Sequence, residues 1–311
     1  MAEKRYDSPN RLTERMVRNE DIFCSLLFDH SNSTIRVVDF RGGNFQTKHA
    51  YLEGVLRKEG MRKLFTLIER DDMNGWQRVG YAREGTIPGY YKRSDAYVMS
   101  RLYEEDAPRV SAAEDASEKK ELVAEIKEFA AQISGQKGSG IKTEPVDDSE
   151  VVDLIRHEQK AAAQRAGKGK KTGRGKKGRK GRAASKIELP VFSQFSREVE
   201  RYYFASHNRR TKQSNVFGAE YQDCFGNAKV DVFFSPTNRS ERSLARFGLN
   251  AFVEWLGELG AVATFSLVRG DDLEMNAVYA GAGFRNSGLL RHHFLSDDGP
   301  LDALLWTRKL N

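Results

Sequence analysis

Residues 262–310, VATFSLVRGDDLEMNAVYAGAGFRNSGLLRHHFLSDDGPLDALLWTRKL, read as strand, short helix, strand, strand. The first and last runs are apolar and bounded by turn residues, while Met275, Val278, Tyr279 and Ala282 recur at helical spacing between them. The helix closes on Gly283-Phe284 and leads directly into the second strand.

The chain contains this pattern twice. From Lys63 the text runs KLFTLIERDDMNGWQRVGYAREGTIPGYYKRSDAYVMSRLY. Asp71-Asp72 matches Asp271-Asp272, Gly80-Tyr81 matches Gly283-Phe284, and Asp95 and Arg101 match Asp302 and Arg308. Two copies this far apart exceed any solenoid period and predict two related half-domains. Both Asp-Asp pairs are expected to cap helices or end strands, since no third metal ligand recurs beside them.

With 311 residues the chain has room for two modest domains, each with its own core. The charged start, MAEKRYDSPNRLTER, predicts no signal peptide. No apolar run approaches the roughly 20 residues that span a bilayer. Cys24 and Cys224 stand alone, without a CxxC pair or a histidine at metal spacing, which argues against a disulfide framework and a structural zinc and for a cytoplasmic setting. The net charge of +7 is unevenly spread: Arg165 to Lys186 carries eleven Lys/Arg and no acid, leaving a mildly acidic remainder.

The pattern divides the chain into four parts: a flexible lead-in (1–20), a first α/β unit (21–103), a charged linker (104–186) and a second unit (187–311). In the first unit a hairpin turns at His30-Ser31-Asn32-Ser33. A helix then carries Tyr51, Leu52, Val55 and Leu56 on one face and stops at Gly60; Gly42-Gly43 is read as a turn. The linker is expected to be largely disordered, with a helix through Leu122, Ile126 and Phe129 and a second over 150–165. In the second unit Phe192, Phe195, Val199, Tyr202 and Tyr203 predict a helix ending near Asn208. A hairpin then turns at 223–227, and a long helix over 240–259 places Leu244, Phe247, Ala251, Phe252, Trp255 and Leu259 inward.

Hairpin, loop, long helix, strand, short helix ending in Gly-aromatic and two last strands is the order of the GNAT acyltransferases. The chain resembles β-lysine N6-acetyltransferases, in which an N-terminal GNAT-like half precedes a full GNAT domain. The resemblance rests on GYAREGTIPGYYKRSDAYVMSRLY in the first half, and on VDVFFSPTNR, EMNAVYAGAGF and LLWTRKL in the second. It implies an α/β fold with a GNAT-like mixed central sheet flanked by helices, present as two related units joined by a long charged linker.

It further implies acetyl transfer from acetyl-CoA to a small amine or amino acid. The cofactor's place would be the loop and helix start formed by Phe233, Phe234, Ser235, Arg239, Ser240, Arg242, Ser243 and Leu244. The family's loop has glycines where this chain has Ser240 and Arg242, so backbone approach to a diphosphate would rely on arginine charge instead. Tyr279, five residues before Phe284, matches the tyrosine that protonates the thiolate; it equally fits an inward helix position. Asn276 faces the cofactor or caps the short helix. Asp231 is a base for the amine or an outward strand residue. Glu220 and His292 are the substrate-side residues, with His293 on the opposite face of the same strand. The N-terminal half, which has no such loop, would wall the substrate side and allow a homodimer. A second function class stays open: a catalytically inactive GNAT-fold protein that binds nucleic acid or a protein partner through the basic linker.

Overall fold

The computed structural model describes residues 12–103, 112–134, 140–168 and 199–310. The N-terminal unit runs β1 (Leu12–Arg18), β2 (Phe23–Asp29), β3 (Thr34–Asp39), α1 (Phe45–Glu59), β4 (Lys63–Ile68), α2 (Met73–Arg78), β5 (Ala82–Ile87) and β6 (Ala96–Leu102). The middle of the chain forms α3 (Ala112–Ser134), β7 (Ile141–Val146) and α4 (Asp148–Lys168). Then follow β8 (Glu200–Asn208), β9 (Gln213–Gln222), β10 (Asn227–Val232), α5 (Arg239–Glu258), β11 (Ala263–Arg269), α6 (Leu273–Gly281), β12 (Arg285–Ser296) and β13 (Gly299–Lys309).

All described strands join one mixed sheet in the order β1-β2-β3-β4-β6-β5-β12-β13-β11-β10-β9-β8-β7. Read outward from the β5–β12 junction, each half has the same arrangement: two antiparallel strands, then a parallel pair, then a hairpin. The halves meet where Gly85 pairs with Gly288. A Cβ on Gly288 would lie 2.7 Å from the Glu84 carbonyl oxygen and from Gly85 Cα, so only glycine lets the two strands close here.

Each half buries one sheet face under its own helices. Leu52, Val55 and Leu56 of α1 and Trp76 of α2 cover Leu26, Ile35, Leu64 and Met99. In the C-terminal half Leu249, Phe252, Val253 and Leu256 of α5 pack with Val278 and Tyr279 of α6 over Phe217, Val230 and Leu304. The other face carries a second apolar cluster that spans the junction, with Ile87, Tyr90 and Val98 against Phe265, Leu290 and Leu305.

That second face is the inside of a curled sheet. At about 4.8 Å per strand, β3 and β9 would lie nearly 40 Å apart in a flat sheet. Instead a single phenol joins them: Arg36 Nη2 of β3 donates to Tyr90 Oη, which donates to Gln222 Oε1 of β9, each at 3.3 Å. The loop between β5 and β6 therefore crosses the inner face, and Asn227 Nδ2 anchors it by donating to the Tyr90 carbonyl at 2.9 Å.

Four sequence expectations change. Residues 12–18 belong to an edge strand paired with β2 rather than to a lead-in. Tyr202 to Asn208 form β8 and not a helix; both faces of this strand are covered, so Tyr203, Phe204, Ala205 and Ser206 are buried in succession and no period of two shows. Residues 141–146, read as spacer, form the polar edge strand β7, where Pro145 is tolerated. Leu259 is 40% exposed, and the inward stripe of α5 runs through Leu249, Val253 and Leu256 instead. The tract from 169 to 186, and Phe192 and Phe195, lie outside the described residues. Among the described residues no helix is long and apolar enough to cross a membrane.

Candidate active site

The parallel strands β10 and β11 pair only from Asn227/Ala263 to Lys229/Phe265. Beyond those pairs they part, and the GNAT resemblance puts the acyl donor in that opening. Here it is bridged at three depths. At the bottom, fully buried Tyr279 donates its hydroxyl to the Val230 carbonyl and accepts from Ser266 Oγ, each at 3.0 Å. Burial, followed by the nearby charge of Asp231, holds its phenol well above the ordinary range. At the rim, Ser235 Oγ donates to the Asp272 carboxylate at 2.9 Å. Outermost, Arg242 Nε in the first turn of α5 lies 2.8 Å from Glu274 Oε2 in the first turn of α6.

The start of α5 is closed as well. Asn238 Oδ1 accepts from the Glu241 N–H at 3.0 Å, and the Glu241 carboxylate accepts from the Thr237 N–H at 2.9 Å and Thr237 Oγ1 at 2.8 Å. The Asn238 amide thus takes a helix-end donor, and Thr237 holds the Glu241 carboxylate against the start of the helix, where it opposes an incoming anion. A hollow of about 250 Å³ beside it is lined by Glu158 and Glu241, the wrong sign for an anion. The side chains of Ser240, which donates to Gln213 Oε1 at 2.9 Å, and Arg242 stand where the GNAT resemblance expects glycine. In this arrangement the residues do not fit the diphosphate of coenzyme A.

The remaining residues named for the cofactor scatter. Phe233 and Phe234 pack with Tyr203 and α4. Arg239 is exposed, whereas Ser243 and Leu244 are buried. Asn276 donates to the Arg269 and Asp272 carbonyls at 2.8 Å and accepts from Trp306 Nε1 at 2.7 Å, so its side chain ties α6 to β11 and β13.

The inner face is different. The register sets Glu220 of β9 opposite Lys229 of β10, and Lys229 Nζ pairs with Asp231 Oδ2 at 2.6 Å. Glu220 is 7% exposed; its Oε1 lies 3.8 Å from Arg201 Nε, while buried Oε2 has no hydrogen-bond partner among the described residues. Burial pushes its carboxyl up to about 7, against the pull of Lys229 and Arg201. Arg36, from the N-terminal half, is also buried, and its Nε–H is unpartnered among the described residues.

His292 sits in an irregular stretch of β12 with a positive φ of 49°, its N–H donating to Asp302 Oδ1 at 2.7 Å; three strands separate β12 from β9. His293 faces inward, fully enclosed beside Phe65 and kept neutral by burial and by Lys63 and Arg62. Sequence reasoning missed Arg36, Tyr90, Arg201 and Lys229. A charged residue inside the apolar runs TIRVVD and NAKVDV was the available signal.

No protein-family profile matches this chain, nor does any curated protein. Solved structures that match part of this chain include spermidine N-acetyltransferase from Vibrio cholerae, in complex with CoA and spermine. It is 10% identical over 55% of this chain and 96% of that one, with a TM-score of 0.36. The ribosomal-protein-S18-alanine N-acetyltransferase from Escherichia coli is 13% identical over 55% and 94%, with a TM-score of 0.34.

Proposed function

We propose that this chain is an acyl-CoA-dependent N-acyltransferase for a small amine, built from two related GNAT-like units, with the acceptor bound on the inner face. The observation that carries the reading is Glu220, a buried carboxyl with one unpartnered oxygen and a proton affinity raised to about 7. Such a group takes a proton from an ammonium near neutral pH and leaves the amine nucleophilic. Asp231 and Lys229 hold the strand beside it, and Arg36 offers its buried N–H to a carboxylate, which favours an amino-acid acceptor of the β-lysine kind.

The test is acetyl transfer to a panel of amines and amino acids. Turnover should rise as pH passes about 7, and Glu220→Gln should lower it by about 10²–10⁴-fold while removing that rise. A pH-independent wild type, or a fully active variant, sinks Glu220 as the base.

The closed opening between β10 and β11 favours a second reading, a GNAT-fold protein without catalysis that binds nucleic acid or a protein partner through its basic tract. Salt-sensitive nucleic-acid binding that disappears when residues 165–186 are deleted, with no acetyl transfer to any amine, would decide for it.

A further inference from the structure

We infer that the groove at the seam of the two halves, lined by Arg78, Arg83, Arg101 and Arg291, binds the phosphate backbone of a nucleic-acid strand. This site is separate from the inner face and from the basic tract, so it stands whichever reading above holds.

The groove follows from how the halves join. Gly85 and Gly288 form the one described pair between β5 and β12. Toward the start of β5 the pairing stops. There the first two turns of α1, the end of α2, the end of β6 and Arg291 of β12 line an open hollow of about 910 Å³.

Its charge is not balanced from within. The acid in the lining, Glu84, is already engaged: Oε2 accepts from buried Lys63 at 2.7 Å and Oε1 from the Arg291 N–H at 3.0 Å. Two of the arginines are held in place by neighbours. Arg101 Nη2 lies 3.3 Å from Glu53 and Nη1 donates to the Val79 carbonyl at 2.8 Å, while Arg291 pairs with Asp302 at 2.6 Å. Arg83 donates to Thr86 Oγ1 at 2.6 Å and lies 4.8 Å over the Tyr97 ring. Among the described residues neither Arg83 nor exposed Arg78 has an acidic partner. Burial keeps His49 neutral, so it adds no charge of its own. In a chain that is mildly acidic outside its basic tract, these walls concentrate a positive potential.

A guanidinium fork matches phosphate and carboxylate oxygens alike. The rest of the lining decides between them. Its apolar side chains are Val79, Ala82 and Leu102, and none is aromatic, so the groove lacks the anchor that the centre of a protein–protein contact uses. A strand of phosphates needs no such anchor, because its affinity comes from counterions released at successive charges. Arginines spread along an open groove suit contacts that position a backbone without reading bases.

The experiment uses the full chain and a fluorescent single-stranded uridine oligomer of about 20 nucleotides, titrated over a range of salt concentrations. It compares wild type with Arg78→Gln/Arg83→Gln, with Arg78→Gln alone, and with Arg209→Gln/Arg210→Gln, which removes the same charge from the exposed turn between β8 and β9. The basic tract is common to all four and drops out of the comparison. Melting temperatures check that each folds, and if the double variant melts early, the exposed Arg78→Gln carries the test. The salt slope of log K should shrink by about 0.7 for each groove arginine removed, and the double variant's affinity at about 0.15 M salt should fall about tenfold, with the turn variant close to wild type. Equal slopes in wild type and groove variants, no binding by the wild type, or the same loss in the turn variant each overturn the groove. Tripolyphosphate and polyglutamate serve as further probes. Loss of tripolyphosphate binding with oligomer binding unchanged assigns the groove to a small phosphorylated ligand, and polyglutamate bound as tightly as the oligomer, with the same loss, assigns it to an acidic protein; either result overturns the nucleic-acid strand.

Discussion

Trp76 and Tyr279 stand at the same place in the two halves, each five residues before the aromatic that closes its short helix. Both are buried, and each packs edge-on against that aromatic, Tyr81 at 4.8 Å and Phe284 at 5.2 Å. Their polar ends differ. Tyr279 bridges β10 and β11, whereas Trp76 Nε1 has no partner among the described residues. Around them the scaffold is alike: Arg101 donates to the Val79 carbonyl and Arg308 to the Ala282 carbonyl, both at 2.8 Å. On the inner face the register matches Leu27 with Glu220 and Arg36 with Lys229. The halves share the residues that hold the frame and differ at the inner-face positions the proposed function uses, where Leu27 stands in the first half and Glu220 in the second.

The largest expected effect tests whether the first half's core is pure packing. Trp76→Ala should cost about 3–5 kcal/mol, because it empties an enclosed site. Tyr279→Phe keeps the ring and should cost only about 1–3 kcal/mol, mainly by stranding the Val230 carbonyl. Chemical denaturation measures both, and equal costs would break the distinction.

Next comes the pair Leu27 and Glu220. Glu220 holds its proton up to about 7 in the folded chain, against 4.5 ordinarily. Between those values the folded state binds a proton that the unfolded state has released, so this site's contribution to stability is greatest below 4.5 and is lost as pH rises to about 7. At about 1.4 kcal/mol for each pH unit the fall is on the order of 3 kcal/mol. Glu220→Gln should remove it and stabilise the protein above pH 7, as denaturation across that window would show; an unchanged slope would mean that the site is wetter than its burial indicates.

Gly80 and Gly283 sharpen the comparison of frames. Both have positive φ, 88° and 84°. A Cβ at Gly80 would meet Arg101 Nη1 at 2.9 Å, but at Gly283 the nearest atom of Arg308 is 3.9 Å away. Alanine should cost about 1–2 kcal/mol at Gly283 from backbone strain alone. At Gly80 it should cost more, since the arginine that caps the helix must also shift. Equal melting-temperature losses would show that Arg101 yields freely.

Much of this frame is legible in the sequence because it is local. The Gly-aromatic stops, the apolar run of each central strand and the spacing of Met275, Val278 and Tyr279 carry their own signal. Helix α1 does too, ending at Gly60 with φ 64°. What is not legible is what the curl and the linker bring together. Arg36, Tyr90 and Glu220 are far apart in the chain, and only a sheet bent onto itself makes them neighbours. Helix α3 is similar: Leu122, Ile126 and Phe129 announce a helix but not the surface of α5 and α6 that it covers. Strand β8 fails for a third reason, since burial on both faces erases the alternation that would mark it.

The smallest effect concerns the matched Asp-Asp pairs, for which a capping role is expected in both copies. Asp272 is the N-cap of α6, and its Oδ1 accepts from the Met275 N–H at 2.9 Å. Asp72 stands at the same point before α2, but its side chain makes no capping bond. Asp272→Ala should therefore cost about 1 kcal/mol through the lost cap. It also frees Ser235 and so loosens the rim between β10 and β11, whereas Asp72→Ala should stay within about 0.5 kcal/mol of wild type. A thermal melt measures the first difference, and CoA calorimetry the second. If the two alanines cost the same, the bridge at the rim has no energetic weight, and closure of the opening rests on Tyr279 and the Arg242–Glu274 pair.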